Sequence, residues 1–443
     1  MANCWHQDQF LLIASKQNAL TEQEEEDISI NDDDQRQNTN TFELSDRIIL
    51  KPISHPSHYR FVQGSSGSNF VLLLDENGTM YGYGLDFSKR TTLPNNANWC
   101  IVDFSEPVEL VACGMRFFMF KSKSGVIYSV GNNECGQRGT GQGSSSDILP
   151  VKFTPNVDSC SVMKSVVKIS CGYQHAILLT NDGKLYGTGC SYQSQLGKIS
   201  GDITYLFCPL ESTAFSNSRY GKIVDIQTLY FSSFCLTDKG FCFVAGTLSY
   251  NQVIDATHWT LVPSTILDCP IRSIYASCNT VFFFGDNCVF TTKYSKDYFE
   301  PSDLNMQETT VCSIPFLKNK NIQKVFGKEY FHFVSDHHVY IRHIVGEDAS
   351  TLRMMGMDDI SNICEYASLQ KPIWLEVLPL SKILWSHDLT ILNAFSFVIY
   401  ICDKKNSMPI LQNLGNIYHY QFNIREEEEI PKYVFYDVDV VFK

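Results

Sequence analysis

Two stretches of the chain nearly repeat each other 58 residues apart. Val108 to Gly141 reads VELVACGMRFFMFKSKSGVIYSVGNNECGQRGTG, and Val166 to Gly197 reads VVKISCGYQHAILLTNDGKLYGTGCSYQSQLG. A recurring period means one supersecondary unit stacked several times. Such a unit cannot bury its apolar face alone, so its copies must share cores with their neighbours. The shapes that satisfy this are rings and solenoids, whose usual work is holding partners.

The unit has a readable grammar. An apolar strand leads to a Gly, a few polar or aromatic residues and an apolar run. A tight turn and a second strand ending near Gly follow. The turns are Asn77-Gly78, Ser124-Gly125, Asp182-Gly183 and Lys239-Gly240. Asn-Gly and Asp-Gly between apolar runs signal hairpins, because a two-residue loop matched to strand twist needs positive φ. Later copies keep the strands and lose the glycines: 19 of the 26 glycines lie at or before Gly221. Using the aromatic after each turn as a ruler gives Tyr81, Tyr128, Tyr186, Phe243, Phe290, Tyr340 and Tyr400, or seven units.

Composition narrows the function. A formal charge of −13 argues against broad binding to nucleic acid or anionic membranes, which needs basic surfaces. The 16 cysteines are scattered, often within apolar strands, and form no C-x-x-C pair. Reduced, buried thiols fit that pattern better than a disulfide scaffold. The longest apolar run near the end, Ile391 to Cys402, is too short to span a bilayer, which takes about 20 residues. A soluble protein of the cytoplasm or nucleus is expected. Thr21 to Asp34 holds eight acids and no base, so residues 1–41 are expected to form a flexible acidic arm, and 42–443 the repeat domain. Phe42 to Ile53 could supply a strand that closes the array.

Units two and three resemble those of the regulator of chromosome condensation family. The carrying residues are Cys171-Gly172-x-x-His175, Asp182-Gly183-x-Leu185-Tyr186-x-x-Gly189 and Gly131-Asn132-Asn133-x-x-Gly136-Gln137-x-Gly139. The resemblance implies an all-β fold: a seven-bladed β-propeller with four-stranded antiparallel blades. It also implies that the glycines from Gly136 to Gly143 are turn residues between blades rather than a phosphate loop, since no G-x-x-x-x-G-K-[ST] motif is present. His175 reads as a structural hydrogen-bonding residue of the repeated turn.

No G-x-S-x-G, H-E-x-x-H or dinucleotide fingerprint occurs, so no catalytic residue, metal site or cofactor is expected. The expected function is a non-catalytic scaffold that binds a protein partner through loops on one propeller face, as a monomer. The candidate contacts are Arg116, Tyr173, Gln174, Tyr230 and Phe231, just after the repeat Gly or its equivalent, and Arg138 in the outer loop. Aromatic residues and arginine concentrate binding energy at interfaces. The alternative implied by the resemblance is guanine-nucleotide exchange on a small GTPase. It would need a wedge entering the GTPase, for which the segment Gly143 to Cys160 is the place to look.

Overall fold

The computed structural model describes residues 59–326 with interruptions, the longest being 85–98 and 293–310. Outside that span it describes strands at 9–16, 48–53, 331–335, 339–343, 373–377, 390–393, 397–403, 418–424 and 434–438. The chain is an all-β propeller of antiparallel blades, five of which are meanders of strands 1 to 4.

Five blades follow one another. Blade 1 comprises Phe61–Ser66, Phe70–Asp75, Met80–Gly84 and Trp99–Ile101, and blade 2 Val108–Cys113, Phe117–Ser122, Ile127–Gly131 and Ser145–Pro150. Blade 3 comprises Val166–Cys171, His175–Thr180, Leu185–Cys190 and Ile203–Pro209. Blade 4 is Ile223–Thr228, Ser232–Thr237, Cys242–Ser249 and Thr260–Leu261, with Gln252–Val253 also paired to its third strand. Blade 5 is Ser273–Ser277, Thr280–Phe284, Val289–Thr292 and Val311–Ser313.

This differs from the seven uniform units read from the sequence. After blade 5, Ile322–Phe326 begins a six-stranded sheet rather than a four-stranded one. The last sheet takes only Thr390–Asn393 and Phe397–Asp403 from the end of the chain, and Gln9–Lys16 and Ile48–Ile53 fill its third and fourth places. Tyr400, counted as a third-strand aromatic, therefore sits on a second strand. Strand Gln9–Lys16 falls inside the segment expected as an arm: its run Phe10-Leu11-Leu12-Ile13 completes a sheet. The acidic stretch 21–34 lies outside the described residues.

The second strand of each blade explains the continuous apolar runs. Phe70–Asp75, Phe117–Ser122, His175–Thr180 and Ser232–Thr237 are buried at every position. A strand covered on both faces sends alternate side chains into two different seams. Phe70, Leu72 and Leu74 pack with Val111, Phe118 and Phe120 of blade 2. Ala176 and Leu178 join Met119 and Phe117, whereas Ile177 and Leu179 face Cys235 and Phe243. Each seam is thus a shared core, and each fully buried side chain of this size contributes about 1.5–3 kcal/mol.

The turn glycines serve a different turn from the two-residue loop expected. Gly78 N–H donates to the Asp75 carbonyl (2.9 Å), while Asp75 N–H donates to Thr79 O (3.1 Å). Ser122/Gly125, Thr180/Gly183 and Thr237/Gly240 repeat the first bond at 2.9–3.0 Å. This is a three-residue loop in which only the glycine is left-handed, with φ between +80° and +91° at the four positions. The residue that opens each turn is polar because its side chain caps the loop. Asp75 Oδ1 accepts from Asn77 and Thr79, and Thr180 Oγ1 accepts from Lys184 N–H.

Candidate protein-interaction site

The first strands of the five blades stand side by side around a cavity of about 460 Å³. Side chains tie these strands together where no sheet bonds can form. The Gln63 amide both donates to Val111 O (3.0 Å) and accepts from Val111 N–H (3.2 Å), standing in for a strand edge. Ser65 Oγ accepts from Cys113 N–H (2.9 Å), Ser170 bonds Thr228 (2.9 Å), and Lys168 pairs with Asp225. The channel wall mixes polar and apolar side chains, and the charges of Lys168 and Asp225 offset each other.

At one end of this channel lie the hairpins joining strands 1 and 2, which carry most of the candidate contacts. In a four-stranded meander, the loops joining strands 3 and 4 emerge at the same end. Backbone bonds fasten the two sets together: Asn132 N–H to Arg116 O (2.9 Å), Cys190 N–H to Gln174 O (2.8 Å) and Thr247 N–H to Phe231 O (3.0 Å). That close approach explains the glycine ending strand 3. A Cβ on Gly189 would lie 2.3 Å from Gln174 O, and its φ of +108° is open to glycine.

The hairpins place three aromatic candidates together. The Tyr173 ring meets Tyr230 edge-on with centroids 5.5 Å apart and lies 5.8 Å from Phe231. Tyr173, Tyr230 and Tyr275 also line the channel. All three, with Phe231 and Gln174, are half-buried, while Arg116 on the neighbouring hairpin is exposed. Aromatic surface held rigid at a channel mouth offers large contact area with little entropy left to lose.

Arg138 does not belong to this set. It is fully buried, and Nη2 donates to Ser129 O (2.9 Å) and Asp147 O (2.8 Å) across strands 3 and 4 of blade 2. Its N–H donates to Asn133 Oδ1 (2.9 Å), so the Gly-Asn-Asn-x-x-Gly-Gln-x-Gly pattern encodes a loop folded upon its own side chains. Its place in an outer loop, and the weight arginine carries at interfaces, make it a candidate contact; its burial removes it.

His175 is structural, as its place in the turn suggested. Ser233 Oγ donates to Gln195 O (2.6 Å) and so accepts from His175 Nε2, 3.0 Å away. The chain of bonds joins blades 3 and 4. Burial keeps the imidazole neutral and lowers its pKa from 6.5 to about 3. As pH falls through 6.5 the unfolded chain takes up a proton that the folded chain refuses, so stability declines progressively from about pH 6.5 towards about pH 3. From pH 7 to pH 5 this group should remove about 2 kcal/mol. Urea titrations at both values should show a smaller difference in His175→Gln; an equal difference would contradict the assignment.

Two further expectations meet the structure here. Nine described cysteines are free thiols, but Cys288 is disulfide-bonded, contrary to the uniformly reduced set expected. The segment proposed for a GTPase wedge is instead strand Ser145–Pro150, a linker and the start of helix Ser159–Ser165. The linker packs against blade 3, with Phe207 N–H donating to Lys152 O (2.8 Å) and Thr154 N–H to Phe207 O (2.9 Å). Among the described residues no group of three metal-ligating side chains occurs, and no helix is long and apolar enough to cross a membrane.

Comparison with known proteins fits this architecture. Residues 124–179 and 166–195 match the Regulator of chromosome condensation (RCC1) repeat. The chain is 27% identical over 216 residues to the Ultraviolet-B receptor UVR8 of Arabidopsis thaliana, covering 48% of this chain and 47% of that one. Over 187 residues it is 26% identical to the X-linked retinitis pigmentosa GTPase regulator homolog of Caenorhabditis elegans, covering 41% of this chain and 13% of the relative. The chain thus spans about half or less of the length of these curated relatives. In fold it is similar to yeast RCC1 (Prp20), solved with Kap60, at a TM-score of 0.53 and 16% identity, covering 83% of this chain and 87% of that one.

Proposed function

We propose that this chain, an RCC1-repeat β-propeller protein, acts as a non-catalytic scaffold that binds a protein partner at the mouth of its channel. The observation that carries this reading is the aromatic cluster Tyr173, Tyr230 and Phe231, drawn from two adjacent blades and left half-exposed. Arg116 extends the surface onto blade 2, and Gln174 adds an amide beside the cluster. The rest of each hairpin is pinned by backbone bonds, so little is lost on ordering it when a partner docks. The net charge of −13 supports a protein rather than a nucleic acid or anionic membrane as partner. The protein acts as a monomer in the cytoplasm or nucleus.

A second reading, guanine-nucleotide exchange on a small GTPase, draws support from the relative named as a GTPase regulator homolog. Nucleotide release from purified small GTPases separates the two. The scaffold reading expects no acceleration at substoichiometric protein, together with a stoichiometric partner recovered from native cells. Acceleration of tenfold or more at catalytic concentrations would overturn it in favour of exchange.

A further inference from the structure

We propose that Tyr173, Tyr230 and Tyr275 form an aromatic cage that takes a cationic side chain, lysine or arginine, from the docked partner, an assignment that rests on the channel mouth being the docking surface. The three rings come from successive blades and border one space, since all of them line the channel cavity. Tyr173 and Tyr230 stand at 88° to one another with centroids 5.5 Å apart, so they wall that space in two directions rather than stacking into a flat patch. Phe231 packs against both, 5.8 Å from Tyr173 and 6.3 Å from Tyr230, and braces the pair. Backbone bonds hold the two hairpins beneath, from Cys190 N–H to Gln174 O (2.8 Å) and from Thr247 N–H to Phe231 O (3.0 Å). The cage is therefore set before a partner arrives.

An aromatic face carries negative potential, and a cation within about 6 Å of the ring centroid is drawn to it. An apolar knob would gain only buried area from the same rings. Electrostatics choose between the two. The cavity wall has one charged residue, Lys168, and its pairing with Asp225 offsets the positive charge that would repel a cation. Exposed Glu134 and Asp202 stand on the strand 3–4 loops of blades 2 and 3 at the same end, against exposed Arg116 on the blade 2 hairpin. The chain as a whole carries −13, a field that draws basic segments towards it. The rings are half-buried, and a cation–π contact strengthens as water is excluded from it.

The test uses short alanine peptides with blocked ends and lysine, arginine or norleucine at the centre. Their affinity for the full-length protein is read by isothermal titration calorimetry at about 0.15 M salt, where the Debye length is about 8 Å. The lysine and arginine peptides should bind the wild type at least about fivefold more tightly than the norleucine peptide. That preference should persist in Tyr173→Phe/Tyr230→Phe, whose rings keep their faces. It should vanish in Tyr173→Leu/Tyr230→Leu, which keeps apolar bulk without them. Equal affinity of the wild type for norleucine and lysine would overturn the cage, as would no binding of any peptide. A preference that survives in the leucine variant would overturn it too, because the field of the whole chain would then be its source. The comparison of peptides on the wild type does not depend on a variant folding. Retention of the native partner judges the docking surface separately: a partner lost with the two tyrosines, beside equal peptide affinities, would leave the surface standing and remove the cage.

Discussion

Gly114→Ala is expected to destabilise the protein by about 2–3 kcal/mol, although it adds a single methyl group. Gly114 is not left-handed, so its requirement is steric. A Cβ there would sit 2.1 Å from Phe117 Cε1 and 2.7 Å from Cδ1 and Cζ. Phe117 is buried within the blade 2–3 seam and has nowhere to swing. The same hairpin bond, from the N–H of this residue to the carbonyl three positions on, recurs at Gly67/Phe70, Gly114/Phe117, Gly172/His175 and Leu229/Ser232, all at 2.8–2.9 Å. Glycine occurs where the third residue on carries a ring. Where the ring is replaced by serine, a leucine fits.

The chain therefore supplies its own rescue. Phe117→Ser alone should cost about 3–5 kcal/mol through the cavity it leaves. Combined with Gly114→Ala, the total should fall short of the sum by on the order of 2 kcal/mol. Urea unfolding of the two single variants and the double variant measures this coupling directly. Strict additivity would show that the ring does not impose the glycine.

Arg138→Met should cost about 1–3 kcal/mol, because carbonyls of strands 3 and 4 are left without the donor that joined them. The carbonyl of fully buried Ser129 and that of exposed Asp147 would both lose their guanidinium donor. Lysine should be a poor replacement, since its ammonium is a compact point charge on a flexible stem and does not reproduce the planar fork of donors. Arg138→Lys should therefore also lower the denaturation midpoint, yet at a temperature where it stays folded it should bind the partner as the wild type does. Lost binding by a fully folded Arg138→Lys protein would return the arginine to the interface.

The repeat was legible because its unusual residues answer local demands. A left-handed turn position requires Gly183, and a ring packed on the hairpin requires Gly172; both leave marks in a single sequence. The aromatic hairpins were legible for the same reason, since they stand at fixed offsets from those glycines. Arg138 was not, because burial of an arginine depends on carbonyls from strands 3 and 4 that no local pattern reveals. The last sheet was obscured differently: strand Gln9–Lys16 pairs with Phe397–Asp403, nearly the whole chain away. A short apolar run beside an acidic stretch carries no sign of that partner.

The most direct test of the partner-binding face is affinity purification from native cells with three forms of the protein. They are the wild type, Tyr173→Ala/Tyr230→Ala, and Val224→Ser, whose exposed residue is the second of strand Ile223–Thr228, at the end away from its hairpin. Removing two clustered aromatics from an interface should cost at least about 2 kcal/mol, or more than tenfold in retained partner, while Val224→Ser retains it fully. Equal retention by the wild type and the double tyrosine variant, with both folded, would contradict the assignment of the channel mouth.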